Sequence, residues 1–109
     1  MVDRPWGRFE RLTNNRNSTV KLLYIKKGES LSLQYHNKRD EYWKVIDGNP
    51  LIEIGELREH ANIADMFEIK AGSRHRISAP ENNVIILEIS KGEFDENDIV
   101  RIEDKYDRV

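Results

Sequence analysis

The chain has 109 residues, the size of one compact domain with a single hydrophobic core. Charged residues make up 35% of it, yet the formal net charge is only −2 and no basic block dominates, which argues against a general nucleic-acid binder. The absence of cysteine excludes disulfides and thiolate metal sites, and no apolar stretch resembles a signal peptide or a membrane span. We therefore expect a soluble, cytoplasmic protein with no membrane partner.

The N-terminal part of the chain predicts a buried tryptophan followed by strands. Trp6 stands between Pro5 and Gly7, and its size favours a role as a core anchor. A possible edge strand at 8–12, a polar loop at 13–18 and a strand rich in β-formers at 19–25 follow.

The stretch from Gly28 to Trp43 carries the most informative pattern. If residues 31–36 form a strand, alternation places Ser32, Gln34 and His36 on one face. A second strand from Glu41 would bring its carboxylate to the same point, and His75 could add a fourth group from a distant strand. A Gln/His/Glu/His set suits a divalent cation such as zinc, manganese, iron or cobalt. The alternative is a half-buried strand with a polar face and no metal.

The middle of the chain contains one strong turn signal and one ambiguous region. Asp47-Gly48-Asn49-Pro50 predicts a hairpin between 41–46 and 51–54. Residues 56–65 fit either a short helix or a loop followed by a strand. His60, in this region, is expected to be an exposed loop residue.

The C-terminal part adds further short strands. They are predicted at 66–69, 75–78, 84–90 and 99–102, with 84–90 central because it is the most apolar and with a helical turn at 95–98. Glu88 interrupts this apolar run, so it should face a polar lumen, pair with a cation or have a raised pKa. Seven or more short strands separated by turns predict an all-β, antiparallel sandwich or barrel.

Four sequence motifs carry a resemblance to a known family. They are Arg4-Pro5-Trp6-Gly7, Leu31-Ser32-Leu33-Gln34-x-His36 with Arg39-x-Glu41-x-Trp43, His75-Arg76, and Gly92 with Asp98-Ile99-Val100-Arg101. The chain resembles the cupins, and in particular the C-terminal cupin domain of type II mannose-6-phosphate isomerase/mannose-1-phosphate guanylyltransferase. The resemblance covers nearly the whole chain and implies a single cupin domain over 1–109, a double-stranded β-helix or jelly-roll barrel.

The resemblance also implies a metal site and an activity. The metal ligands would be Gln34, His36, Glu41 and His75, holding one divalent ion, zinc first and manganese, cobalt, nickel or iron as alternatives. The implied reaction interconverts mannose 6-phosphate and fructose 6-phosphate through an enediol. Arg39 and Glu88 are the candidate catalytic residues. The candidate phosphate-binding residues are Lys38, Lys70 and Arg74.

The same residues are compatible with two other functions. One is another cupin enzyme acting on a sugar phosphate or nucleotide-sugar, because a fold does not determine a function. The other is a sugar-binding or regulatory cupin without turnover. A homodimer is expected on family grounds, with Leu31, Leu33 and Tyr35 as outward-facing apolar residues, and a separate guanylyltransferase is a candidate partner.

Overall fold

A computed structural model describes residues 2–9, 17–92 and 97–103. These residues form eleven β-strands: β1 Val2–Arg4, β2 Gly7–Phe9, β3 Ser18–Ile25, β4 Leu33–Tyr35, β5 Arg39–Asp47, β6 Leu51–Ile54, β7 Leu57–His60, β8 Met66–Ile69, β9 His75–Ser78, β10 Val84–Gly92 and β11 Val100–Glu103. Within the described ranges no helix is long and apolar enough to cross a membrane. Residues 10–16, which contain most of the edge strand predicted at 8–12 and of the loop predicted at 13–18, lie outside the described residues, as do residues 95 and 96 of the helical turn predicted at 95–98.

Two antiparallel sheets form the body of the molecule. One has four strands in the order β3-β10-β5-β8, and the other has five in the order β11-β4-β9-β6-β7. Because neighbours in each sheet are mostly distant in sequence, the chain passes repeatedly between the sheets, as in a jelly roll. The all-β, antiparallel prediction is confirmed, and β10 lies inside its sheet as expected.

The core fills the space between the sheets at one end. Alternation in β5, β9 and β10 turns Val45, Ile77 and Ile86 inward, and each is at most 1% exposed. Ile52 on β6 pairs directly with Ile77 and is also fully buried. β-branched side chains on facing sheets pack well at such positions, so this end of the barrel is a closed apolar layer.

The turn at 47–50 is not the predicted hairpin. β5 and β6 belong to different sheets, and the turn carries the chain from one to the other. Gly48 has a positive φ of 85°, and a side chain there would clash with the carbonyl oxygen of Asn83. The amide of Asn49 donates to Asn82 Oδ1 at 2.7 Å, so the turn packs against the loop before β10 instead of closing a strand pair.

A hairpin instead joins β6 to β7, at the start of the region 56–65 for which the sequence left two structures open. β6 and β7 pair through a two-residue turn whose Gly55 has a φ of 56°, a conformation that glycine adopts readily. The region is thus a strand followed by a loop, not a helix. His60 is exposed as predicted, but it lies at the end of β7.

Two predictions about apolar residues are wrong. Trp6 is 72% exposed because β1 and β2 form a separate two-stranded sheet in which it occupies the turn. Leu31 precedes the short β4 and packs against the core, so it does not face outward with Leu33. The exposed apolar side chains on the four-stranded sheet include Val20, Leu22 and Tyr24 of β3. The homodimer remains a prediction.

Candidate metal centre

Three potential ligands converge between the sheets at the other end of the barrel. His36, Glu41 and His75 are all buried, and one ligand atom from each lies within 4.8 Å of the others. Glu41 comes from β5 in one sheet, His75 begins β9 in the other, and His36 follows β4. Gln34 on β4 pairs with His75 across the ladder, which places it beside the cluster.

Hydrogen bonds determine which ring nitrogen of each histidine faces the cluster. His36 Nδ1 lies 2.6 Å from the carbonyl oxygen of Asp98, and His75 Nδ1 lies 3.0 Å from that of Ser73. A carbonyl can only accept, so each Nδ1 carries the proton and donates. In the neutral rings both Nε2 atoms then present lone pairs to the cluster, the arrangement that metal-binding histidines adopt.

A hydrogen bond to one carboxylate oxygen also orients Glu41. Its Oε2 accepts a hydrogen bond from the indole nitrogen of Trp43 at 3.1 Å, which leaves Oε1 directed at the histidines. Oε1 lies 3.0 Å from His36 Nε2 and 3.9 Å from His75 Nε2. Acceptors this close require a proton or a cation between them. His75 Nε2 is buried and has no hydrogen-bond partner among the described residues, so the donor set fits a divalent cation.

Gln34 could join His36, Glu41 and His75 as a ligand after one rotation of its side-chain amide. Its Oε1 accepts from the Ser32 hydroxyl at 2.6 Å, and its Nε2 lies 3.4 Å from His36 Nε2. A half-turn of the amide would direct the oxygen at the cluster, and the hydroxyl of Ser32 could then accept from the amide nitrogen.

The pKa values of the buried groups follow from their surroundings. Burial lowers the pKa of His75 despite the opposing charge of Glu41, which favours the neutral, ligating ring. Burial alone would raise the pKa of Glu41, but its hydrogen bond with His36 and its attraction to His75 in the protonated state outweigh burial and bring the pKa to about 2. Burial, with the adjacent charge of Glu41, raises the pKa of Glu88 to about 8.

Arg39 and Glu88 lie in the same cleft. Arg39 Nη2 is 3.2 Å from His36 Nε2, and Arg39 Nε is 3.5 Å from Glu41 Oε1. Glu88 pairs in register with Trp43 on β5, so its side chain faces the lumen and not the outer surface. The two candidate catalytic residues are therefore adjacent to the cluster, and their roles remain predictions.

The candidate phosphate residues lie elsewhere. Lys38, Lys70 and Arg74 are exposed, and none of them lines the cleft of about 160 Å³ that contains the cluster. Lys70 forms an ion pair with Glu68. Their phosphate role remains a prediction.

Sequence reasoning did not single out two cations that do line the cleft, Lys21 and Arg101. Lys21 could have been found, because alternation in 19–25 gives it the same face as Leu23. Asp98 was also missed as a positioning residue. Its carboxylate accepts from the amides of Asn37 and Lys38, each at 2.9 Å, and its carbonyl holds His36.

Comparison with known proteins gives consistent results. The family described as "Mannose-6-phosphate isomerase C-terminal" matches residues 1–104. Similar proteins include mannose-1-phosphate guanylyltransferase ManC of Salmonella typhimurium, with 33% identity over 99% of this chain, and alginate biosynthesis protein AlgA of Pseudomonas aeruginosa, with 32% identity over 98%. The chain spans 23% of the length of each of these relatives.

Solved structures support the fold. Capsular polysaccharide assembling protein CapF from Staphylococcus aureus matches with a TM-score of 0.72 and 17% identity, over 83% of this chain and 29% of its own. A protein with a double-stranded β-helix domain from Klebsiella pneumoniae matches with a TM-score of 0.71 and 17% identity, over 84% of this chain and 80% of its own. The fold is thus the cupin-type double-stranded β-helix, and the chain belongs to the mannose-6-phosphate isomerase C-terminal family.

Proposed function

We propose that this chain is a metal-dependent sugar-phosphate isomerase that interconverts mannose 6-phosphate and fructose 6-phosphate. The observation that carries the proposal is the convergence of His36, Glu41 and His75 beside a carboxyl group with a raised pKa. The family description supports the same reaction.

A cation held by His36, Glu41 and His75, with Gln34 as a fourth ligand, would polarise the sugar oxygens at C1 and C2. Zinc is the first candidate because two imidazoles and one carboxylate are ligands that zinc prefers. The buried position of these side chains would limit access of bulk water to the reacting carbons.

Glu88 is the proposed proton carrier. In its ionised form it would remove the proton from C2 of mannose 6-phosphate, and the electrons would move to the carbonyl oxygen to give the enediolate. Return of the proton to C1, together with movement of the C2 hydroxyl proton to the oxygen on C1, would give the ketose. In the metal-free chain, burial and the charge of Glu41 raise the pKa of Glu88, which brings this carboxyl closer to the neutral pH at which the proton would be taken and returned.

Arg39 would stabilise the enediolate. Its guanidinium is buried next to His36 and Glu41, where a positive charge interacts more strongly with a developing oxyanion than it would in water. Because this charge is in place before substrate binds, little reorganisation is needed during the reaction.

A coupled assay for fructose 6-phosphate formation tests the proposal. The protein would be stripped of metal and reloaded with zinc, manganese, cobalt or nickel. We expect metal-dependent turnover that is lost in His36→Ala and retained in His60→Ala, a control at an exposed histidine. Absence of turnover with every metal, from folded protein that still binds one, would contradict the isomerase.

A sugar-binding cupin without metal is the second candidate. Arg39 lies within hydrogen-bond distance of His36 Nε2, the atom that would otherwise ligate the ion. In this alternative the guanidinium supplies the positive charge of the site. Metal analysis of the purified protein distinguishes the two, since the isomerase requires one bound ion per chain and the binding protein requires none.

A further inference from the structure

Two cations from opposite sheets line the candidate cleft without being metal ligands or candidate catalytic residues. Arg101 on β11 pairs in register with Gln34, and Lys21 on β3 pairs with Glu88. Residues directly opposite each other in a ladder share a face, so both cations lie on the lumen side of their sheets. Each is therefore one strand away from a group of the candidate site.

Arg101 is distinguished by an unsatisfied donor. Its Nε is buried and has no hydrogen-bond partner in the part of the chain that the structure describes. Arg76, in the same sheet, shows the usual solution, because its guanidinium binds Glu53 and Glu103. A buried guanidinium nitrogen without an acceptor is costly, and a bound anion would supply the missing acceptor.

The other charges of the cleft leave room for such an anion. Glu41 is engaged by the cluster and by Trp43, with Arg39 also within 3.5 Å. Among the described residues, the remaining carboxyl that lines the cleft is that of Glu88, which lies next to Lys21 and has no ladder position beside Arg101. Among the described residues that line the cleft, the Arg101 side thus has an excess of positive charge.

We propose that Arg101, assisted by Lys21, binds the phosphate group of the substrate. A guanidinium can donate two parallel hydrogen bonds to phosphate oxygens, which gives direction as well as affinity. The phosphate would then anchor the end of the sugar remote from C1 and C2, while those carbons face the cluster. The identity of the anion as a sugar phosphate rests on the proposed function.

This assignment competes with the one made from sequence. Lys38, Lys70 and Arg74 are solvated side chains outside the cleft, where an ion pair with phosphate is weakened by water and salt. Arg101 and Lys21 line the same cleft as the cluster.

Calorimetric titration of the metal-loaded protein tests the proposal without requiring turnover. The ligands would be mannose 6-phosphate, inorganic phosphate and mannose. We expect Arg101→Met to weaken binding of mannose 6-phosphate by at least about tenfold, the loss of a charged hydrogen bond, and Arg101→Lys to restore part of it. Lys21→Met should cause a smaller loss. Mannose binding should be unchanged in all three variants, and Arg74→Met is the matched control with an exposed arginine.

Thermal unfolding provides the second readout. Because Arg101 Nε has no hydrogen-bond partner among the described residues, Arg101→Met should unfold no earlier than wild type without ligand, and phosphate should raise the Tm of wild type more than that of the variant. A large loss of Tm without ligand would show a structural role and overturn the proposal.

Other outcomes are equally decisive. Undiminished binding of mannose 6-phosphate by Arg101→Met, a loss confined to Arg74→Met, or no anion binding by folded wild type would each overturn it. Protein that binds the phosphate through Arg101 but does not isomerise the sugar would support this inference and contradict the proposed function.

Discussion

The two ends of the barrel lumen are made from the same strands but from different chemistry. Moving two to four residues along one face leads from the closed end to the candidate site: Val45 to Glu41 on β5, Ile77 to His75 on β9, and Ile86 to Glu88 on β10. Every one of these side chains is buried. Burial is therefore common to both ends, and the residue type decides whether a position supplies packing or supplies charge.

Truncation of a side chain at the closed end should have the largest effect on stability. Ile77→Ala removes a fully buried side chain that packs against Ile52, and we expect a loss of about 2–5 kcal/mol in the free energy of unfolding. Denaturant titration measures the loss. Metal affinity of the folded variant should stay within about twofold of wild type, and a parallel loss of metal would show that the two ends are not independent.

A substitution at the polar end should lower metal affinity strongly and change stability little, the reverse of the effect at the closed end. In His75→Asn the amide nitrogen can replace Nδ1 in its bond to Ser73, whereas nothing replaces Nε2. We expect metal affinity to fall by at least about 100-fold, because a ligand is lost and not merely its support. The Tm of metal-free protein should change little. Competition with a chelating dye gives the affinity, and unchanged affinity would remove His75 from the ligand set.

The pH dependence of stability should further distinguish the polar end of the lumen from the closed end. The pKa of Glu88 rises from 4.5 in the unfolded chain to about 8 in the fold. Between these values the folded state holds a proton that the unfolded state has lost, so this group makes stability fall as pH rises. The drop from about pH 5 to about pH 8 should be about 3–4 kcal/mol larger in metal-free wild type than in Glu88→Gln. Equal slopes in the two proteins would refute the raised pKa.

The smallest effect is expected at Asp98, which positions the backbone and the ring of the residues around His36. Hydrogen bonds from the amides of Asn37 and Lys38, opposed by burial, keep the pKa of Asp98 below 3.8. The carboxylate therefore contributes stability above that pH and loses it as the pH falls. Asp98→Asn should unfold at a lower temperature than wild type near neutral pH, and the gap should narrow in acid. A gap that is constant with pH would mean that the charge of Asp98 has no effect.

Much of the site could be predicted because it depends on alternation. The face shared by Gln34 and His36, and that of Glu41 and Trp43, required only the two-residue period of a strand. The pairing of β4 with β9, which brings Gln34 to His75, joins residues about forty positions apart, and no local pattern specifies it.

The incorrect predictions and the overlooked residues also have physical causes. Trp6 has the size of a core residue, but among the described strands β1 and β2 pair only with each other, so it does not reach the core. Asp47 to Pro50 has good hairpin residues, but turn chemistry specifies a reversal of the chain and not the sheet that receives it. Lys21 and Arg101 were overlooked because a strand pattern gives the face of a side chain without showing that this face lines a cleft.

The position of Trp43 gives the protein an intrinsic optical signal. Its indole donates to Glu41, and its ring meets that of His75 edge-on with centroids 5.4 Å apart. An indole's fluorescence depends on the charge next to it, so an ion or a proton arriving at either neighbour should change the emission. The only other tryptophan, Trp6, is mostly exposed and should emit at longer wavelength. Occupancy of the cleft can therefore be followed by fluorescence in unlabelled protein.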